Sequence, residues 1–227
     1  MRKTMMIAAV LGRSAPVAVP VQAQSNDGPV VYARFLKRVA ASLVDGFIVA
    51  MIALVVQMPI ALIAGVSSVG ALDTLGGEPS DGSLLLELVV QAVGIAVGLA
   101  YFGYFYTSAQ QASPGKLLVG IKLVRPDGET ISFARSVGRY FANWLNVFTL
   151  GLTYLLPLIT TKRQALHDLV ADTVVVDRWA FTESPERQSE ALGGCAIAVL
   201  VLFALAVGGG ALFAIIGVAA FASAMGA

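Results

Sequence analysis

The chain has 227 residues, 57% of them hydrophobic and 13% charged, with 23 Gly, one Cys and a mean hydropathy of +0.81. Soluble domains carry about 25% charge, and three stretches here stay apolar for about 20 residues, the length that spans a bilayer, so the composition excludes an ordinary soluble domain. Fifteen Lys and Arg against fourteen Asp and Glu leave +1, which excludes the field that draws nucleic acid, and the lone Cys195 excludes a disulfide scaffold.

Residues 1–29 are predicted to be a disordered N-terminal segment with a signal-like start: Arg2 and Lys3, an apolar run from Met5 to Leu11, and Val21-Gln22-Ala23 as a small-residue site. Arg13 and Pro16 interrupt the run. Cleavage would leave Arg34, Lys37 and Arg38 outside the membrane, against the positive-inside rule. The segment is therefore read as uncleaved and cytoplasmic.

A first span is predicted over about 39–64, with Pro59 kinking its outer third because the ring removes a backbone hydrogen bond. The loop from Gly65 to Ser83 holds Asp73, Glu78 and Asp81 and no base, so it is placed outside. A second span follows over about 84–106 and ends in Tyr101, Phe102, Tyr104, Phe105 and Tyr106, rings that favour the headgroup level and mark the inner interface. Glu87 lies about one turn from its outer end and is read as structural; Gly94 and Gly98 make a small-xxx-small pair suited to close helix contact, including contact with a second copy.

Two strands are predicted next, Leu117 to Val124 and Thr173 to Val176, with Pro126-Asp127-Gly128 as a turn after the first. Between them, 140–161 is long enough for one crossing and too short for two. One crossing would strand Lys162, Arg163, Arg178 and Arg187 outside. A re-entrant hairpin turning near Thr149-Leu150-Gly151 keeps all fifteen bases on one side and lets the strands pair, so the hairpin is favoured over the fourth span. Residues 179–193 read as a polar linker and 194–227 as a C-terminal transmembrane helix.

Asp45 is the sharpest candidate for chemistry, because an ionised carboxylate at the centre of a span costs about 2.5 to 3.5 kcal/mol on insertion scales. Arg34, Arg38 and Ser42 lie near its face, yet Arg38 is seven residues away, about 10 Å of helix rise, so the partners of Asp45 must come from other segments or water. Two roles stay open: a site that binds and releases a cation or proton, or an Arg-Asp pairing that fixes packing. His167-Asp168 offers a partner for Arg38, a group titrating near neutral pH, or a carboxylate receiving turn amides. Asn143 and Asn146 are candidates for lining a polar cavity or for hydrogen bonds between helices.

Ser113-Pro114-Gly115-Lys116 is not a phosphate loop, since Gln110 and Leu117 stand where that motif needs Gly and Ser or Thr. It is read as a turn that launches the first strand, with Lys116 at the lipid headgroups. One His and no Cys cluster argue against a metal, no cofactor motif is present, and the sequence lacks the elbows and fingerprints of common enzymes.

Phe35-Leu36-Lys37-Arg38 through Val44-Asp45, Ser113-Pro114-Gly115-Lys116 with Gly120 to Val124, Asp127-Gly128, Ser132, and Leu166-His167-Asp168 before Thr173 to Val176 together resemble the RDD membrane family. That family is named for one Arg and two Asp, which the resemblance assigns to Arg38, Asp45 and Asp168, across about 30–178. Asp172 departs from it, because the family usually places Gly before the second strand. The resemblance implies an integral membrane protein, and cation/proton exchange is an activity suggested for some members.

The expectation is an all-α membrane protein of the bacterial inner membrane with three spans, a re-entrant or fourth spanning segment, and a small cytoplasmic strand pair. Its leading function is exchange of a monovalent cation for a proton at Asp45, with Arg38 and Asp168 setting its charge and Arg34, Ser42, His167, Asn143 and Asn146 in support. Exchange by so small a unit implies a homo-oligomer. The alternative is a non-transporting scaffold or assembly factor that recruits another membrane protein.

Overall fold

A computed structural model describes residues 29–63 and 81–225. The signal-like segment and most of the acidic loop lie outside the described residues.

Among the described residues, three helices, α1 (Phe35–Ile63), α2 (Asp81–Thr107) and α6 (Gly194–Met225), are long and apolar enough to cross a membrane, over Phe35–Ile60, Leu84–Thr107 and Gly194–Val218. Pro59 falls inside α1. The start of α1, the end of α2 and the start of α6 meet at one end of the molecule, where all the shorter elements gather. Small side chains permit this: Ala40, Ala41 and Ala196 are at most 1% exposed and let the helices approach closely.

Gly94 and Gly98 serve contacts within the chain. A side chain at Gly94 would meet Gln57 at 3.0 Å, and one at Gly98 would meet the Tyr140 hydroxyl at 2.5 Å. This corrects the expectation that they offer a face to a second copy. Gly208, Gly209, Gly210 and Gly217 on α6 have open space beside them.

The short elements are α3 (Pro114–Val119), β1 (Ile121–Val124), α4 (Phe133–Phe148), a 3-10 helix (Leu152–Leu158), α5 (Leu166–Val170), β2 (Val174–Asp177) and a single 3-10 turn (Pro185–Arg187). The first strand is shorter than predicted. Leu117, Leu118 and Val119 belong to α3, because Pro114 fits a first helical turn and Gly120, at φ 73°, closes the helix in a conformation that β-branched residues resist. β1 and β2 then pair antiparallel, Ile121 opposite Asp177 and Val124 opposite Val174, as expected from the two β-branched runs. Tyr32 bridges to Val176 on the other edge of β2. All eight strand residues are buried.

The predicted turn at Pro126-Asp127-Gly128 is present, with Gly128 N–H donating to the Arg125 carbonyl at 2.9 Å. Helix α4 stops at the expected break: Leu150 and Gly151 take φ of 51° and 79°, and the 3-10 helix folds back so that Tyr154 donates to Asn143 at 2.8 Å. No continuous helix forms over 140–161. Segment 179–193 is strapped down rather than loose: Val31 N–H donates to Gln188, Lys37 to the Ser189 carbonyl at 2.7 Å, and Arg34 to Glu190.

Backbone geometry accounts for Asp172, which stands where the resemblance expects Gly. Its φ is 49°, the left-handed region where Gly is at ease and Asp is among the few tolerated alternatives. Its carboxylate is tied to Arg135 at 3.2 Å in a largely exposed pair. Asp172→Gly is therefore expected to preserve the fold and shift stability by less than about 1 kcal/mol; a thermal melt in detergent checks it.

Candidate functional site

Two buried carboxylates organise the polar end. Asp45 sits on α1 and is 1% exposed. Its partners come from other segments, as the helix rise requires. Oδ1 accepts from the Tyr101 hydroxyl at 2.9 Å and the Gly115 amide at 2.8 Å, and Oδ2 accepts from the Ser113 hydroxyl at 2.5 Å. Lys116 Nζ lies 4.0 Å from Oδ2. Asp45 therefore caps α3 from a neighbouring helix, receiving one of the amides that a helix start leaves unpaired. Glycine is required at 115 because a side chain there would strike the Ala41 carbonyl and come within 2.8 Å of the Asp45 carboxylate.

Lys116 is not at the surface. It is 7% exposed and donates to the Tyr106 hydroxyl at 2.6 Å, with its ammonium 4.5 Å from the centre of that ring. The headgroup placement is thus corrected: the helical turn at 114–116 rotates its side chain inward, where a strand start would have pointed it away.

Asp168 is fully buried on α5. It pairs with Arg38 of α1 through Oδ2 and with Arg139 of α4 through Oδ1 at 2.6 Å, and its Oδ2 also accepts the Ala165 amide at 3.0 Å. Arg139 donates in addition to Thr173 at 3.1 Å, just before β2. One carboxylate thereby joins α1, α4 and α5. Burial pushes the Asp168 carboxyl up, but the charges of Arg139 and Arg38 outweigh it and hold the group well below the usual carboxylate range. Arg38 does not contact Asp45; Arg38 and Asp168 form their own cluster beside it.

His167 Nε2 lies 3.4 Å from Asp168 Oδ1. Burial, followed by the charge of Arg139, pushes its pKa down to about 3. It therefore stays neutral near pH 7. The unfolded chain takes up a proton near pH 6.5 that the folded chain refuses, so stability falls as pH drops from 6.5 toward 3, by about 1.4 kcal/mol per unit. The depressed Asp168 adds a loss only below about pH 4, its unfolded range. Melts between pH 6 and pH 4.5 are expected to fall steeply for the wild type and to flatten in His167→Gln.

The remaining candidates divide. Ser42, Asp45, Lys116, Ser136, Arg139 and His167 border one cavity of about 240 Å³. Asn143 lies between that cavity and a larger, shallower hollow of about 400 Å³, which Asn146 and Trp144 also line. Asn146 Nδ2 donates to Asn143 and its Oδ1 accepts from Thr153, so the two amides hold α4 to the 3-10 helix. Arg34 stands apart, paired with Glu190 at 2.5 Å in a half-exposed contact. The sequence reading missed Tyr101, Ser113, Gly115 and Arg139 as partners. Ser113 and Gly115 were visible as a motif, but nothing in their spacing points to α1.

The fold and the site define a helical protein with membrane-spanning candidates and a buried Arg-Asp network beneath a two-stranded cap. The RDD family model matches residues 32–172, and the chain belongs to the RDD family. It is also similar to "Uncharacterized protein YxaI" of Bacillus subtilis (strain 168), 31% identical over 94 residues. That match covers 40% of this chain and 60% of the relative. No solved structure matches.

Proposed function

We propose that the chain is a multi-pass protein of the bacterial inner membrane that works as a non-enzymatic, non-transporting scaffold, with its Arg-Asp network as architecture. The observation that supports this reading most is the crowding of donors on Asp45. A carboxylate offers about four acceptor positions, and here protein donors occupy three of them, with an ammonium group 4.0 Å away. A cation would have to displace the donors that start α3. The strand pair and the strapped 179–193 segment then face the cytoplasm, the hairpin over 140–161 rests at the inner interface, and the fixed cap recruits another membrane protein or a second copy.

One observation favours a second reading, cation/proton exchange: the same cavity reaches Asp45, Lys116 and His167. In that reading a monovalent cation takes the place of the Lys116 ammonium against Asp45. Proton flux in proteoliposomes on addition of Na+, K+ or Li+ separates the two. The scaffold predicts no flux from folded wild type with any of the three. Flux that disappears in a folded Asp45→Asn variant establishes exchange instead.

A further inference from the structure

The cavity bordered by α1, α3 and α4 has a chemistry that neither carboxylate explains. Lys116 and Arg139 both line it, and each is 7% exposed. Lys116 places one of its three ammonium hydrogens on Tyr106, and Asp45, at 4.0 Å, is beyond hydrogen-bond reach. Arg139 directs Nη1 at both Asp168 and Thr173. Among the described residues, no hydrogen bond uses the other two hydrogens of Lys116 or those on Nε and Nη2 of Arg139.

The charges do not balance either. Arg38, Lys116 and Arg139 are three cations facing two carboxylates, Asp45 and Asp168, with His167 neutral at pH 7. One positive charge is left over in a buried setting, where uncompensated charge is costly. A bound cation would double it. An anion of one negative charge would cancel it and accept the spare hydrogens. The hydroxyls of Ser42 and Ser136 and the amide of Asn143 border the same space, which holds the volume of about eight water molecules, room for a phosphate group and a short polar substituent. Ser42, on its border, is exposed, so the space communicates with the surface.

We propose that this cavity binds a phosphate group carrying one negative charge, gripped by Lys116 and Arg139 and oriented by Ser42 and Asn143. The site uses hydrogens that the Asp45 and Asp168 pairings leave over, so it holds whether the network is architecture or an exchange site. Two sources supply this chemistry: the phosphodiester of an anionic lipid headgroup, and inorganic phosphate in its singly charged form.

The test is a thermal melt of the full chain in neutral detergent, run with inorganic phosphate, with short-chain phosphatidylglycerol, with short-chain phosphatidylcholine, and with sodium chloride at matched ionic strength. The expected result is a saturable rise of several degrees with a phosphate-bearing anion beyond the chloride control, and none in Lys116→Gln. A rise with inorganic phosphate identifies the free ion as sufficient; a rise with phosphatidylglycerol alone identifies the headgroup. Should Lys116→Gln fail to fold, Ser42→Ala carries the test. Ser42 is exposed at the border of the cavity, so the change removes one hydrogen bond to a charged group and is expected to weaken binding about tenfold while the protein still folds. No rise beyond chloride with either anion, an equal rise with phosphatidylcholine, unchanged binding in a folded Lys116→Gln, or, where that variant does not fold, unchanged binding in Ser42→Ala overturns the proposal.

Discussion

Replacing Asp168 with Asn is expected to cost about 3 to 5 kcal/mol and to remove most of the folded protein from detergent extracts. The reason is the number of groups that one carboxylate serves. Arg38 and Arg139 both lean on it, and the Ala165 amide donates to it at 3.0 Å. An uncharged amide leaves two buried guanidinium groups facing each other, and each must then reach water or another acceptor. The groups around them offer little: Nε and Nη2 of Arg38 are already buried without a partner among the described residues. Yield and the melting midpoint measure the loss. Glu190→Gln is the contrasting case, because the Arg34–Glu190 pair lies at the surface and such pairs add little; its midpoint is expected to match the wild type.

Asp45→Asn is expected to cost about 2 to 3 kcal/mol, less than Asp168→Asn but well beyond a surface change. An asparagine keeps one acceptor oxygen and turns the other into a donor. Tyr101 and Gly115 both donate to one oxygen, so the asparagine can serve them only by turning its amide toward Ser113, whose hydroxyl rotates to accept. Lys116 has no such remedy. Its charge loses the only carboxylate within 4.0 Å among the described residues, and the surplus of buried positive charge grows by one. A melt that stays at the wild-type midpoint would mean that Asp45 is not holding α3.

Long-range periodicity and charge made the large features of this fold legible. The apolar runs give the three long helices to within a few residues, and the two β-branched runs give a strand pair, because burial against a core demands those residue types. Charge asymmetry pointed to a break near Thr149-Leu150-Gly151, and the helix ends there. The boundary at Leu117 was misread for a local reason. Leu-Leu-Val is compatible with strand or helix, and the deciding influence is Pro114 at the helix start together with Gly120 at its end.

The candidate site was legible in part. Asp45 stood out because a carboxylate in an apolar run needs compensation, and the pairing of Arg38 with Asp168 was among the readings. Arg139 was invisible in this role: it is one base among several in a polar stretch, and only the packing of α4 against α5 brings it to Asp168. Lys116 was misplaced because its direction depends on whether residues 114–116 turn as a helix. Among the roles open to His167, titration near neutral pH is settled only by burial and neighbouring cations, which are tertiary facts.

The central claim is that the Asp45 carboxylate caps α3 through Ser113 and Gly115. A double-mutant cycle on the folded protein, with Asp45→Ala, Ser113→Ala and the pair followed by reversible melts, tests it most directly. The account predicts that Ser113→Ala costs measurably in the wild type and much less once Asp45 is gone, a coupling of about 1 kcal/mol or more. Strict additivity, to within about 0.5 kcal/mol, would contradict it and leave Asp45 free for the exchange chemistry that the scaffold reading denies.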